Sequence, residues 1–463
     1  MQHQIVPPIP SKNMIAEEIP QWLNTSVYLN ISHNMITGIE PGAVMSTYVV
    51  DLSYNMLNSF PNSLSFNGLV YLSIKNNSVS GEIPASMCNI TQLRLVDFSN
   101  NKFSGQIPTC FFNLSLVIVK LQNNQLQGQI PELTDNIRHS FQALDLSENR
   151  LEGLIPKSLG HCEGLAFINL GKNKLSGDFP SWLSKLPKLG ILVLRSNFLS
   201  GAINFSFEES PFQGLCMLDI STNQFSGKLP MSLLLSLNAM KTFDISHARM
   251  VGVHNILGYG TAWEVGMTIK GATLSYQDEI WFFMNTIDLS NNYFEGEILE
   301  EIGDLKWLQA LRISNNKLRG SIPKNFGGLQ QLESLDLSHN HLSGEIPEEL
   351  TKLNFLEYLN LSYNNLVGRI PQSLQFSTFD AGSFEGNPSL CGPPLLLPCE
   401  ANESTTSIPF LVLKQANEER MWKYTSVALG FGVGFGTTIS FSLFLNNGRG
   451  FDILWRRCYC PWA

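Results

Sequence analysis

From Leu308 onward the chain states one pattern three times, as LQALRISNNKLRGSIP, LESLDLSHNHLSGEIP and LEYLNLSYNNLVGRIP, with Asn316, Asn340 and Asn364 spaced 24 residues apart. A period of this kind constrains the fold more than composition does, because each unit has an apolar side that only a neighbouring unit can cover. The chain therefore reads as a solenoid. Tracing the anchor backwards gives Asn292, Asn223, Asn197, Asn173, Asn149, Asn124, Asn101, Asn77, Asn55 and Asn34, with Ala248 standing in for one, which predicts fourteen coils. Leu335 and Leu337, or Leu144 and Leu146, alternate as a short strand requires, so the coils should share one long parallel sheet. The asparagine points inward, where it can satisfy backbone groups that would otherwise be buried unpaired. The Gly344, Ile346, Pro347 element, repeated at Gly320 and Gly153, supplies a permissive backbone, a buried aliphatic and a fixed φ at the bend. Fourteen strands about 4.8 Å apart give a surface roughly 65 Å long, suited to macromolecules or extended peptides.

Little else in the 463 residues points to chemistry. A net charge of −9 offers no basic stripe, so nucleic acid is not an expected partner. No zinc spacing, nucleophile elbow, phosphate loop or kinase signature occurs, and no cofactor or enzymatic activity is expected. Asp51, Asp97, Asp145, Asp219, Asp244, Asp288 and Asp336 lie four before an anchor and should stack into an acidic column; L-D-L-S is ordinary repeat text, which argues against a cation site.

After the last coil the text changes to a segment ending in Cys391 and Cys399, which reads as a lid over the apolar end of the stack, stapled by a disulfide. Cys88 and Cys110 lie on adjacent coils, and a second bridge there stays open; Cys162 and Cys216 read as buried thiols. Residues 424–445 carry no charge and are long enough to span a bilayer. Lys423 precedes them and Arg449, Arg456 and Arg457 follow, so the short tail should be cytoplasmic and the repeats should face outward. Eight glycosylation sequons agree with that address: Asn24, Asn30, Asn76, Asn89, Asn113, Asn204, Asn360 and Asn402, of which Asn30 and Asn360 fall on concave strands. Within the span, Gly430 with Gly434 and Gly432 with Gly436 form small-residue frames that permit close helix pairing.

The repeat breaks between Ala248 and Asn292, which are 44 residues apart where 24 would do, leaving about 20 extra residues. This glycine-rich interruption carries Tyr259, Trp263, Tyr276, Trp281 and Phe282, a composition suited to a contact surface or to covering the interrupted core.

Together, the 24-residue repeats, the interruption four coils before the end with T-I-K-G (Thr268 to Gly271) inside it, Ile287 to Glu297 after it, the S-F-E-G-N-P-S-L-C-G cap, the acidic stretch, the glycine-rich span and the small tail resemble a plant leucine-rich-repeat receptor-like protein. PASMCN at Pro84, IPKSLGHC at Ile155 and FPSWLSKLP at Phe179 extend the resemblance over nearly the whole chain. It implies an α/β-type solenoid, a right-handed curved superhelix with a parallel concave sheet, followed by one C-terminal transmembrane helix. The corresponding division is repeats over 1–248, an island over 249–283, four repeats over 284–372, a cysteine cap over 373–399, an acidic juxtamembrane segment over 400–423, the span over 424–445 and a tail over 446–463. It further implies a kinase-less plasma-membrane receptor, in defence or development, for an extracellular peptide or protein ligand. Signalling would pass through an adaptor kinase pairing at Gly430, Gly432, Gly434 and Gly436, and a co-receptor kinase near the last coils. The contact residues so implied are Tyr259, Trp263, Lys270, Tyr276, Arg312, Glu333, His339, Glu357 and Tyr358. Residues 1–23 depart from the family pattern, with no signal peptide or cysteine cap and with Asn13 and Ile19-Pro20 fitting the inside of a coil, so an N-terminally shortened receptor is expected. The alternatives are an inhibitor-like binding protein, similar to the secreted inhibitors of pectin-degrading enzymes, and a non-signalling remnant or decoy.

Overall fold

The computed structural model describes residues 28–40, 44–45, 47–60, 65–133, 141–205, 212, 214–242, 264–270, 272–277, 284–373 and 375–399, together with Ile15, Glu18 and Ile19. Thirteen three-residue strands, from Tyr28–Asn30 to Tyr358–Asn360, pair in parallel in chain order. Register follows from the repeat itself: Leu335 lies opposite Leu311 on one side and Leu359 on the other, so the central leucines stack into one column. A single coil shows how the apolar text is spent. Leu335, Leu337, Leu342, Ile346, Leu350, Leu353 and Leu356 are all buried and join one continuous core along the stack.

The anchor asparagines form a hydrogen-bonded ladder. The Asn340 amide donates to the carbonyls of Ile313, Leu337 and Ser338 at 3.1 to 3.2 Å, while its Oδ1 accepts the Leu318 N–H at 3.1 Å. One side chain therefore ties its own turn to the preceding coil. To aim it inward, the residue before every anchor adopts a left-handed conformation, φ 53° to 56°, from His33 to Tyr363. None of these thirteen residues is glycine, so the strain of that conformation, smallest for asparagine, is accepted at each coil.

Three expectations need correction. Met217–Asp219 pairs directly with Thr286–Asp288, and the Phe225 N–H reaches Asn292 Oδ1 at 3.0 Å, so the sheet has thirteen coils and no place for one through Asp244 and Ala248, which lie outside the described residues. Asn223 and Asn292 are 69 positions apart, so the interruption holds 45 residues beyond the period of 24, not about 20. The α/β description also fails in detail. After most of the I-P prolines the outer side turns in five-residue 3₁₀ helices such as Glu348–Lys352, and among the described residues the one α-helix is Met231–Ser236. A coil of 24 residues that also builds a second strand has no room for more. That second strand was unforeseen: it follows the anchor, and ten such strands from Gln127–Gln129 to Ser389–Cys391 form a further parallel sheet.

The interruption contains a hairpin, Glu264–Ile269 antiparallel to Ala272–Gln277, with T-I-K-G at its turn and Lys270 at φ 55°. At the far end, Asn387 continues the ladder into the cap by accepting the Leu366 N–H at 3.0 Å, and Ser389–Cys391 completes the second sheet. Disulfides join Cys391 to Cys399 and Cys88 to Cys110, whereas Cys162 and Cys216 are buried thiols that burial pushes up to about 12. Residues 400–463, with Asn402, the proposed span and its four glycines, lie outside the described residues; among those described, no helix is long and apolar enough to cross a membrane.

Candidate ligand-binding face

Each concave strand ends four residues before its anchor, and these ends form the column expected to be acidic. It is not continuous. Lys120, almost fully buried, stands between Asp97 and Asp145, and Arg312 stands between Asp288 and Asp336. Most of the aspartates are committed locally: Asp336 Oδ1 accepts both the Ser338 N–H at 3.2 Å and the Ser338 hydroxyl at 2.7 Å, and the same pattern holds Asp97, Asp145, Asp219 and Asp288. The L-D-L-S consensus is thus a turn-making device, and among the described residues no cluster has the makeup of a metal site. Burial pushes Asp145 up to about 6 against the opposing Lys120 and its hydrogen bonds. Asp219 also rises to about 6, through burial and then repulsion from Asp288, with Arg195 opposing.

Where the coil of Asn223 meets the coil of Asn292, the face carries a polar notch of about 210 Å³. Its walls are Lys172, Arg195 and Arg312, and its remaining lining is Ser196, Ser221, Thr222, Ser290 and Asn291. Arg312 donates from Nη1 to Asp288 at 2.9 Å and from Nε to Asp336 at 3.5 Å; Arg195 lies 3.7 Å from Asp219. Of these residues only Arg312 was expected from the sequence. The false intermediate coil would have set Lys172, Arg195, Ser196, Ser221 and Thr222 apart from Ser290, Asn291 and Arg312, so the two sides of the notch were not brought together.

The hairpin turn reaches this same face farther along. Lys270 donates its backbone N–H to Ser334 Oγ at 3.3 Å, and its Nζ pairs with Glu357 at 2.6 Å and Glu333 at 3.1 Å. The bonds to Glu357, and then Glu333, hold the ammonium above its ordinary range. Three of the expected contact residues therefore meet, although Lys270 is 63 and 87 residues from Glu333 and Glu357 in sequence. His339 stacks on Tyr363 at 4.4 Å, and Tyr358 is half-buried on its strand. Tyr259 and Trp263 lie outside the described residues, and Tyr276 lies in the second strand of the hairpin. Of the sequons, Asn89 and Asn204 are exposed; Asn30, Asn76, Asn113 and Asn360 are half-buried; Asn24 lies outside the described residues.

Two models of the leucine rich repeat match, one over 139–199 and 306–366, the other over 92–114 and 284–305. Receptor-like protein 47 and Receptor-like protein 54 of Arabidopsis thaliana are 39% and 37% identical over 443 and 448 residues, 93% of this chain in each case. The chain is a leucine-rich-repeat receptor-like protein of the plant type. It spans 55% and 56% of the length of those two relatives, about half. This receptor-like protein also shares its fold with the plant peptide hormone receptor RGFR1 solved in complex with RGF2, at a TM-score of 0.51 and 22% identity, covering 81% of this chain and 69% of that one.

Proposed function

We propose that this receptor-like protein is a kinase-less cell-surface receptor, held in the plasma membrane by residues 424–445 with its repeats outside. It binds an extracellular peptide or protein on the concave face and signals, in defence or development, through partner receptor kinases. The observation that carries this reading is the concave face itself: thirteen strands in unbroken register, a polar notch at the seam and the island turn seated beside the last coils. An extended polar surface of that kind suits a macromolecular ligand rather than a metabolite in an enclosed cavity. Kinship with receptor-like proteins, and a fold shared with a receptor solved with its peptide hormone, support it. The adaptor kinase is assigned to the glycine frames at Gly430, Gly432, Gly434 and Gly436, where close helix approach is possible. The co-receptor kinase is assigned to the last coils, around His339, Glu357 and Tyr358.

Co-precipitation of the full chain with receptor kinases from plant membranes tests the reading. Capture of an adaptor kinase by the natural chain, lost when the four glycines become leucine, is the expected result. If no kinase is captured, or if capture is indifferent to the glycines, the assignment of signalling to that span is wrong.

A further inference from the structure

The notch at the seam is lined wholly by polar and charged residues. It contains no aromatic or aliphatic side chain, so neither an apolar anchor nor a stacked sugar ring finds a platform there. Two guanidiniums and one ammonium line it, and Ser221 and Ser290, small residues already bonded to Asp219 and Asp288, leave its centre open. Arg195 and Arg312 lie three coils apart, roughly 14 Å of sheet. Both side chains nevertheless line one small hollow, because Arg195 pairs with Asp219 and Arg312 with Asp288, and these two aspartates lie opposite each other on adjacent strands.

We propose that this notch is a subsite for an extended acidic peptide segment, whose carboxylates at alternate positions engage Arg195 and Arg312. The proposal deepens the receptor reading above and rests on it. In an extended chain, alternate side chains point to one side about 7 Å apart, whereas adjacent side chains point to opposite sides. Arg312 uses two of its five N–H donors on Asp288 and Asp336, so it retains donors for a ligand carboxylate, and the planar fork matches that group. Lys172, held by Glu148 at 2.6 Å, stands at the rim with Ser196 and Thr222.

The charges facing the notch fix how binding responds to pH. Lys172, Arg195 and Arg312 stand against Asp219, Asp288 and Asp336, with Glu148 on the outer side of Lys172, so the site has no surplus positive charge at neutral pH. Asp219, pushed up by burial and by Asp288, is the carboxylate that protonates first on acidification through about 6. Its protonation removes one negative charge from beside Arg195, while peptide glutamates, ordinary value about 4.3, stay ionised at pH 5. Affinity should therefore rise as pH falls from 7.5 to 5.

The test uses the full chain in detergent micelles and two capped pentapeptides of glycine, serine and glutamate, with glutamates at positions two and four or at positions two and three. Calorimetry should find the alternate peptide bound about tenfold more tightly than the adjacent one, equivalent to ~1.4 kcal/mol, and more tightly at pH 5 than at pH 7.5. Thr222→Asp places a carboxylate at the mouth beside both arginines, at a left-handed position that aspartate tolerates better than threonine, and should abolish binding with no loss of thermal stability. Asp219→Asn, a side chain this column already uses at Asn169 and Asn360, should bind at pH 7.5 as the natural chain does at pH 5. Equal binding of the two peptides, no binding of either, or binding that survives Thr222→Asp would overturn the proposal. Kinase capture that persists while these peptides fail would place the fault in the subsite and not in the receptor reading.

Discussion

Removing one rung of the asparagine ladder is the sharpest perturbation of the fold, and its cost can be worked out bond by bond. In Asn340→Ala the Ile313 carbonyl keeps the Asn316 amide, the Leu337 carbonyl keeps the Asn364 amide, and the Ser338 carbonyl keeps the Asn315 N–H. No carbonyl is stripped. The Leu318 N–H loses Oδ1, the acceptor that held it, at about 2 kcal/mol for a buried orphan donor, and the three shared bonds add a few tenths each, giving roughly 3 kcal/mol. Asn340→Asp should be worse than alanine despite being nearly isosteric. It keeps the acceptor for Leu318 but turns a negative oxygen toward three carbonyls, in a position only 5% exposed. Urea unfolding followed by circular dichroism gives the order, and amide exchange at Leu318 reports the orphan directly in the alanine variant. If aspartate is tolerated as well as asparagine, the amide is not acting as the donor that ties the coils, and the ladder argument fails.

Three further outcomes are expected. Replacing Cys88 and Cys110 by serine opens a loop of 22 residues and should cost about 3 kcal/mol in urea unfolding under oxidising conditions, an effect that vanishes when the natural chain is first reduced. Gly303→Ala drives a methyl into the Asn325 carbonyl oxygen of the next outer turn; a loss of about 2 kcal/mol or more is expected, and an unchanged midpoint would show that the turns do not pack so closely. Asp145 and Asp219 titrate near 6 when folded, against an ordinary value of about 3.9, so the stability that their extra protons provide is complete below that ordinary value and is lost as pH rises through 6. Each should withdraw about 1 kcal/mol between pH 5 and pH 7, and Asp145→Asn should flatten its share of that profile.

The stack was legible because its determinants are local and periodic: Leu335, Leu337, Asn340, Gly344 and Ile346 each state their environment within one coil. Asp244 and Ala248 imitate that text closely enough to suggest a coil, and only strand pairing reveals that the chain skips from Asp219 to Asp288. The second sheet was hidden because its strands, such as His341–Glu345, alternate around a glycine at φ 77° and carry one buried side chain, Leu342. The left-handed residue before each anchor left only a partial mark: asparagine stands at five of the thirteen positions, Asn76, Asn100, Asn123, Asn291 and Asn315, but His, Tyr, Glu, Lys, Ser and Thr fill the others. Lys270, Glu333 and Glu357 were singled out separately, but their meeting depends on where a hairpin folds back, which no repeat spacing encodes.

The central claim is that the repeats face the cell exterior with the concave face open to a ligand. Site-resolved glycan mapping by mass spectrometry, on the protein purified from its native plant membranes, tests both halves at once. The account predicts glycans at the exposed Asn89 and Asn204, and a bare Asn360, whose Oδ1 accepts the Ser362 N–H and hydroxyl at the end of the last concave strand. A chain with no glycan at any sequon would contradict the outward topology, and full occupancy at Asn30 and Asn360 would contradict an open concave face.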